Sequence, residues 1–234
     1  MPARISRALT LNSVMINLKI AIQKSGRLNE DSLTLLKECG ISINNGKDQL
    51  MAQASNFRLD VLYLRNSDIP QYVRDGVADI AIIGDNTEKE KKTGIRHVLD
   101  LGFSRCRLSI AVPKNVDFQD ISYLQGKKIA TSYPNSLKDF LTENDIEAEI
   151  HEISGSVEIA PNIGLTDAIC DLVSSGSTLF KNGLKEVYKI FESQAILVAN
   201  SGLCGEKQEL LAQLVFRIKA VLAAKYNKYI LLNA

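Results

Sequence analysis

The feature that most constrains the fold is a regular alternation of short apolar runs with stretches of helical periodicity. Such alternation indicates an α/β protein whose sheet is mainly parallel and covered by helices. Two early helices are predicted, at 29–40, with Asn29 as its cap and Gly40 as its terminator, and at 67–76. The strands around them are the apolar runs LKIAIQ (18–23), LDVLYLR (59–65) and ADIAIIG (78–84).

A second unit of the same kind begins near residue 106. It opens with the strand CRLSIAVP (106–113), and a long helix rich in Ala, Leu and Lys is predicted at 206–229. The charge run EKEKK (88–92) predicts a solvated loop. The other predicted segments are strands at 126–134, 147–153, 167–173 and within 184–200, a helix at 135–145 and a short helix at 156–164.

Two α/β units on one chain predict two lobes with a cleft between them. We expect lobe I to comprise residues 16–105 and 190–234, lobe II to comprise residues 106–189, and residues 1–15 to form a disordered extension. In such folds ligands bind at the carboxyl ends of strands and between lobes. The functional site is therefore expected in this cleft.

Composition narrows the classes of function. The net charge of +1 argues against a nucleic-acid-binding face. No apolar run approaches the roughly 20 residues of a membrane span. The four cysteines are far apart and only two histidines exist, so neither a zinc site nor a disulfide framework is indicated. We expect reduced thiols, a cytoplasmic location, and no nucleic-acid or membrane partner.

The stretch DAICDLVSSGSTL (167–179) predicts a phosphate site. A strand is followed by a turn of small residues and a helix start, where backbone N–H groups and hydroxyls can bind an anion. Asp171 and Asp167 would repel a phosphate, so they suit sugar hydroxyls, and Asp167 could instead hold magnesium through water. The alternative is a polar loop with a capping aspartate. The candidate phosphate ligands are Ser174, Ser175, Gly176, Ser177 and Thr178.

Cationic and polar residues occur at other strand ends. Lys24 and Arg27 flank a Ser-Gly turn after the first strand, a pattern that suits a polyphosphate. The same pattern also fits a solvated turn. All of these clusters could face one cleft. The others are IIGDN (82–86) with Asp85, ATSYP (130–134) with Tyr133, and the pair Arg105 and Arg107.

The stretch EIAPNIGLTDAICDLVSSGSTL (158–179) resembles the signature of the ATP phosphoribosyltransferase family. The resemblance runs from about Leu18 to the end of the chain, with QKSGRL, DIP, GDN, CRLS and ATSYP in the family's order. Thr166 departs from the small residue, often alanine, that is usual in the family. The matching signature positions are Glu158, Gly164, Ile169, Asp171, Leu172, Ser175, Gly176, Thr178 and Leu179.

The resemblance implies two lobes like those of periplasmic binding proteins. It also implies the first step of histidine biosynthesis, transfer of the phosphoribosyl group of phosphoribosyl pyrophosphate to N1 of ATP, with Mg²⁺. Adenine N1 has a lone pair and no proton to lose, so alignment and charge neutralisation can suffice. The implied roles are 5′-phosphate binding by 174–178, ribose binding by Asp167 and Asp171, catalytic cations Lys24, Arg27 and Arg107, and ATP contacts from Gly26, Asp85 and Tyr133.

The resemblance further implies assembly and regulation. Family members form dimers and hexamers, so a homo-oligomer is expected. The segment KYILLNA (228–234) resembles the point where long-form members continue into a histidine-binding domain. We therefore expect a long-form catalytic core without that domain, active and insensitive to histidine. A short form would instead work with a subunit resembling histidyl-tRNA synthetase.

Two other functions fit parts of the sequence. A nucleobase phosphoribosyltransferase also places acids before a Ser/Thr-Gly loop, although these acids are usually adjacent, whereas here Cys170 precedes Asp171. A non-catalytic two-lobed ligand-binding protein would share the fold, because one fold supports many functions. A purine-base exchange assay separates the first from the main interpretation, and binding without turnover identifies the second.

Overall fold

The structure, a computed structural model, describes residues 16–44 and 49–226. Their strands form two mixed β-sheets, one of six strands and one of five, with helices packed against them. The predicted α/β architecture of two lobes is therefore confirmed. The extension predicted at 1–15 and the segment 228–234 lie outside the described residues, and the lobe boundaries stay a prediction.

The first sheet is built from the apolar runs of the N-terminal unit. Its strands are β1 (Leu18–Gln23), β2 (Met51–Gln53), β3 (Leu59–Leu64), β4 (Ile80–Gly84), β5 (Arg96–Asp100) and β11 (Ala195–Ala199), in the order β2–β3–β1–β4–β11–β5. β1 runs parallel to β3 and β4, whereas β11 is antiparallel to both β4 and β5. The central strands are buried on both faces, which explains their continuous apolar sequences.

Helices pack on both faces of this sheet. They are α1 (Arg27–Glu38), α2 (Ile69–Arg74), α3 (Asp85–Lys91) and α6 (Gly205–Tyr226). One face packs on α1 and α6, whose buried residues include Leu36 and Leu214, and the other packs on α2 through Ile69 and Val73. Among the described residues, no helix has the length and apolar character needed to span a bilayer.

The second sheet repeats this construction. Its strands are β6 (Cys106–Pro113), β7 (Lys128–Thr131), β8 (Glu149–Glu152), β9 (Ala168–Val173) and β10 (Leu184–Ser193), in the order β10–β6–β9–β7–β8. β7 is parallel to β8 and β9, and β6 is antiparallel to β9 and β10. Helix α4 (Pro134–Glu143) packs on it through Leu137, Phe140 and Leu141, and the short helix α5 (Ser177–Lys181) follows β9.

The chain crosses between the sheets in two short connections. Residues 101–105 join β5 to β6, and Gln194 alone joins β10 to β11. Ser104, in the first connection, has a φ of +49°, a backbone conformation that a non-glycine residue adopts only under local constraint. Strand ends from both sheets therefore meet where the chain crosses.

Two sequence predictions on helices need correction. EKEKK (88–92) is not a solvated loop, because residues 88–91 belong to α3 and Glu90 is only 6% exposed. Glu90 is held by hydrogen bonds to the start of α4, a long-range contact that local charge density does not reveal. Helix α1 begins at Arg27, not near Asn29, whose amide donates to the carbonyl of Gln23.

Three further segments differ from the prediction. β2 is only three residues long, and β5 carries the sequence RHVLD at an edge of the sheet, so neither shows an apolar run. The helix predicted at 156–164 is reduced to a 3₁₀ turn at Val157–Ile159. These elements depend on their neighbours rather than on their own pattern.

Candidate active site

The predicted phosphate loop is formed where β9 ends. Residues 174–176 turn away from the sheet, and α5 begins at Ser177. Gly176 has a φ of +77°, a left-handed conformation that glycine adopts without strain. The Oγ atoms of Ser175 and Ser177 lie 3.0 Å apart, and the side chains of Ser174 and Thr178 are exposed. The loop therefore offers hydroxyls and backbone N–H groups to an anion.

Asp171 lies three residues before this loop, near the carboxyl end of β9. Its Oδ1 accepts a hydrogen bond of 2.8 Å from the backbone N–H of Leu172. Burial raises the pKa of Asp171 to about 6, the Leu172 N–H opposes that shift, and the charge of Glu158 adds to it. The carboxylate is ionised at neutral pH and is partly withdrawn from water, as suits an acceptor for ribose hydroxyls.

The structure does not bring Asp167 to the same place. Asp167 precedes the first residue of β9, and its Oδ2 accepts a 2.9 Å hydrogen bond from the backbone N–H of Lys128. Four residues of extended strand span roughly 13 Å, so Asp167 and Asp171 cannot contact one ribose together. The sequence pattern puts both acids on the strand that leads to the loop, but only Asp171 lies near the loop end.

Arg107 on β6 is already paired. Its Nε and Nη2 donate to the two carboxylate oxygens of Glu186 on β10, at 2.6 and 2.5 Å, and its Nη1 donates to the carbonyl of Ser174 at 3.1 Å. The buried Ser109 adds a 2.8 Å bond to Glu186. The guanidinium lowers the pKa of Glu186, which in turn raises that of Arg107. Arg107 thus holds the first residue of the phosphate loop.

Sequence reasoning missed Glu186. The register places it opposite Ala111, so Arg107, Ser109 and Ala111 lie at alternate positions on the face that Glu186 reaches. The long side chain reaches along β6, next to a break in register between Glu186 and Tyr188. The sequence signal was an acidic residue, Glu186, within a predicted strand. Its partner, Arg107, can be identified only when the register of β10 on β6 is known.

The predicted cations of the first sheet lie at the turn between β1 and α1. Lys24, Gly26 and Arg27 are all exposed, and Gly26 has a φ of +89°. The Arg27 side chain is 70% exposed, with its Nε 3.8 Å from Asp31, which also accepts a 2.7 Å bond from Ser104. Arg27 is near enough for its charge to oppose the burial that raises the pKa of Cys106. The turn therefore faces the crossing between the sheets.

Asp85 and Tyr133 come from different sheets and approach each other through Asn86. Asp85 begins α3 and pairs with Lys89 at 2.5 Å. The amide of Asn86 donates to the Tyr133 hydroxyl at 3.4 Å and accepts from Ser193 at 2.9 Å. Burial raises the pKa of Tyr133, and the charge of Asp171 contributes, so Tyr133 lies near the phosphate-loop side.

A cavity of about 600 Å³ lies where these elements meet. It is lined from both sheets, with Asp85 and Arg107 facing it from opposite sides. Among the predicted site residues, it contacts Asp85, Arg107 and Ser174, and it contacts Arg105 as well. Sequence reasoning did not identify the remaining lining residues as site residues: Asp100, Cys106, Glu192, Ser193, Gln194 and Ile196.

The comparisons with known proteins identify the family of the chain. The family profile described as HisG, ATP phosphoribosyltransferase, matches residues 65–220. A curated ATP phosphoribosyltransferase from Cytophaga hutchinsonii is 58% identical over 216 residues, covering 92% of this chain and 76% of that protein. The chain belongs to the ATP phosphoribosyltransferase family. The family resemblance of the 158–179 signature is thereby confirmed.

Solved structures support the same conclusion. The ATP phosphoribosyl transferase (HisG:HisZ) complex from Thermotoga maritima contains a chain that is 29% identical, with a TM-score of 0.76, covering 88% of this chain and 99% of its own. A histidine kinase sensor domain with similarity to periplasmic binding proteins has a TM-score of 0.59 at 11% identity and speaks for the fold alone. The enzyme is a pentosyl-transferring glycosyltransferase of histidine biosynthesis.

Proposed function

We propose that the cavity between the sheets is where the phosphoribosyl group of phosphoribosyl pyrophosphate is transferred to N1 of ATP, giving phosphoribosyl-ATP and pyrophosphate. The observation that carries this placement is the meeting of a hydroxyl-rich loop from one sheet with charged residues from the other around one cavity. Two separate binding surfaces across a cleft suit a reaction that joins two phosphorylated substrates.

The phosphoribosyl pyrophosphate side would be the second sheet. The loop 174–178 would bind the 5′-phosphate through backbone N–H groups and hydroxyls, and Asp171 would accept hydrogen bonds from the ribose. Arg107 would act by holding the Ser174 carbonyl, because Glu186 already occupies two of its donors. Asp167, at the far end of β9, is left out of this proposal.

The ATP side would be the turn after β1 and the start of α3. Lys24 and Arg27 would neutralise phosphates of ATP or the departing pyrophosphate, with Gly26 and Asp85 near the nucleotide. Tyr133 would reach the nucleotide from the second sheet, at the start of α4. N1 of adenine needs no base, so the chain's contribution would be alignment of N1 with the anomeric carbon and a charged environment for the leaving group.

Mg²⁺ would enter with its substrate. In 16–44 and 49–226, no group of three or more His, Cys, Asp or Glu side chains could hold a metal ion by itself. This fits the ion's preference for substrate phosphates with one or two carboxylates and several waters. Asp171 is the candidate carboxylate beside the phosphate loop. Bound there, Mg²⁺ would offset the negative charge of the pyrophosphate.

The proposal extends to the assembly of the protein and its location in the cell. We expect a homo-oligomer, a dimer or a hexamer, in the cytoplasm. The Thermotoga maritima neighbour is a HisG:HisZ complex, which favours a regulatory partner as one possibility for this chain. The chain spans 76% of its Cytophaga hutchinsonii relative, which keeps a regulatory domain in a longer protein as the other.

The choice of acceptor tests the proposal. The chain is incubated with phosphoribosyl pyrophosphate, Mg²⁺ and either ATP or a free purine base, and the ribosylated product is separated by chromatography. Product is expected with ATP and not with adenine or guanine. A nucleoside monophosphate formed from the free base would favour the nucleobase phosphoribosyltransferase instead.

A further inference from the structure

Helices α3 and α4 belong to different sheets and pack against each other. Helix α3 follows β4 of the six-stranded sheet, and α4 follows β7 of the five-stranded sheet. Their contact is polar at its centre. It is made by Glu90, in the last turn of α3, and by the first turn of α4.

Glu90 supplies the cap that α4 lacks. The residue at the N-cap of α4, Tyr133, makes no capping hydrogen bond with its side chain, and Pro134 has no N–H to satisfy. The next two N–H groups, of Asn135 and Ser136, each donate to a different oxygen of the Glu90 carboxylate at 2.9 Å. The hydroxyl of Ser136 adds a bond of 2.8 Å. A carboxylate at this position also complements the positive end of the helix dipole.

The contact is buried and has support on both sides. Glu90 and Ser136 are each 6% exposed, so water does not replace a lost bond. The Asn135 amide donates back to the Glu90 carbonyl at 3.1 Å. At the surface, Lys92 and Asp139 form an ion pair between the same two segments. Loss of the acceptor would leave the buried N–H of Ser136 and the part-buried N–H of Asn135 unpaired, which disfavours the present contact between the two helices.

We propose that Glu90 is a positioning residue, which caps α4 from α3 and thereby sets the angle between the two sheets around the cavity. This proposal rests on the proposed placement of the two substrates on opposite sheets. Each substrate would then bind to its own sheet almost unaided, while the distance between N1 and the anomeric carbon would depend on Glu90. Misalignment by about 1 Å can lower a rate by about 100-fold.

The test compares Glu90→Gln with Glu88→Gln. The second variant is a matched control, because Glu88 lies on the same helix but accepts hydrogen bonds from Thr93 and Gly94 within its own unit. Spin labels carried by non-canonical amino acids at the exposed positions Lys37 and Asn115, one on each unit, report the distance between units without substrate. Steady-state kinetics with both substrates report kcat and KM.

We expect Glu90→Gln to broaden the distance distribution and to lower kcat about 10- to 100-fold while changing each KM less than about 3-fold. Glu88→Gln should match the unmodified protein in both measurements. An unchanged distance distribution and kcat in Glu90→Gln, or an equal loss in Glu88→Gln, would overturn the proposal. Lack of product from the unmodified protein would contradict the proposed function alone, since the distance measurement needs no substrate.

A milder variant covers the case in which Glu90→Gln does not fold. Ser136→Ala removes only the hydroxyl bond and leaves both N–H bonds to Glu90 in place. We expect it to fold and to give a smaller loss of kcat with the same near-constant KM values. A Ser136→Ala protein that loses substrate affinity while keeping kcat would contradict the positioning role.

Discussion

Asp171 lies on β9 and Asp167 lies just before its first residue, four positions away, and the surroundings of these two aspartates differ. Asp171→Asn should lower kcat/KM for phosphoribosyl pyrophosphate by roughly 10- to 150-fold, because a hydrogen bond to a charged group contributes about 1.5–3 kcal/mol. Asp167→Asn is the matched control and should leave kcat/KM within about 2-fold. Steady-state kinetics check both. Equal losses in the two variants would contradict the assignment of Asp171 to the ribose.

The raised pKa of Asp171 predicts a pH-dependent stability. Its folded-state pKa is about 6 against an unfolded value of 3.8, so the protonated form favours folding. That contribution is fully present below about pH 4 and is lost as the pH rises through about 6. Asp171→Asn should therefore be more stable than the unmodified protein at pH 7.5, by about 1 kcal/mol, and less so at pH 5. Urea unfolding at both pH values measures the difference, and a constant difference would contradict the raised pKa.

The buried hydroxyl of Thr166 is expected to lower the stability of the protein. It is 7% exposed, and its hydroxyl has no hydrogen-bond partner in the described part of the chain. A buried hydroxyl without a partner costs about 1–3 kcal/mol. Thr166→Val should therefore raise the free energy of unfolding by about 1 kcal/mol, measured in urea, with kcat unchanged. A comparable loss of stability would mean that the hydroxyl has a partner after all.

For single residues, the sequence identified site residues that are adjacent along the chain, but it did not reveal contacts between distant ones. The run of serines, Gly176 and Asp171 could be identified because small residues, hydroxyls and an acid follow one another directly along the chain. Asp167 was grouped with them because spacing along the sequence does not measure distance along a strand. Glu186 and Glu90 were missed because each acts on residues at least 45 positions away.

Among the strands and helices, the pair β6 and β10 supports the phosphate loop, because Glu186 on β10 holds Arg107 of β6 against Ser174. Glu186→Gln removes the charge that holds Arg107 against Ser174 and leaves a donor facing the guanidinium. The loop then loses its support, so KM for phosphoribosyl pyrophosphate should rise about 10-fold, with a smaller change in KM for ATP. Steady-state kinetics measure both constants. Glu206→Gln, which breaks the exposed pair with Arg58, is the control and should change neither.

An unchanged KM in Glu186→Gln would mean that Arg107 holds the loop without help, or that the loop needs no support. Arg107→Lys distinguishes these cases, because lysine keeps the charge but cannot make the paired bonds to Glu186. A rise in KM in Arg107→Lys alone would retain the role of Arg107 and contradict that of Glu186.

The elements themselves were predicted where their own pattern decides them. Strands β1, β3, β4, β6 and β9 are apolar runs, and they occur where the sequence predicts them. Helix α3 was missed because its residues are all polar or charged, so that its buried side chains, Asn86, Thr87 and Glu90, give no apolar pattern. β5 was missed because an edge strand needs few apolar residues of its own. The elements that the sequence did not predict are thus those stabilised by packing against neighbouring elements.

For the molecule as a whole, the family resemblance predicted the two substrates, which the periodicity of the sequence does not reveal. Alternating strands and helices predict two α/β units but do not say which strand ends face each other. The cavity depends on two connections, at 101–105 and Gln194, whose geometry no local pattern predicts. The lining residues Glu192 and Gln194 were missed for this reason.

Product formation by the chain itself tests most directly whether this protein transfers the phosphoribosyl group to ATP. The chain is mixed with ATP, phosphoribosyl pyrophosphate, Mg²⁺ and a pyrophosphatase, and phosphoribosyl-ATP is followed by ultraviolet absorbance. We expect product with the complete mixture and none when phosphoribosyl pyrophosphate is omitted. Binding of both substrates without product, even after addition of a histidyl-tRNA-synthetase-like subunit, would contradict this expectation and identify a two-lobed binding protein.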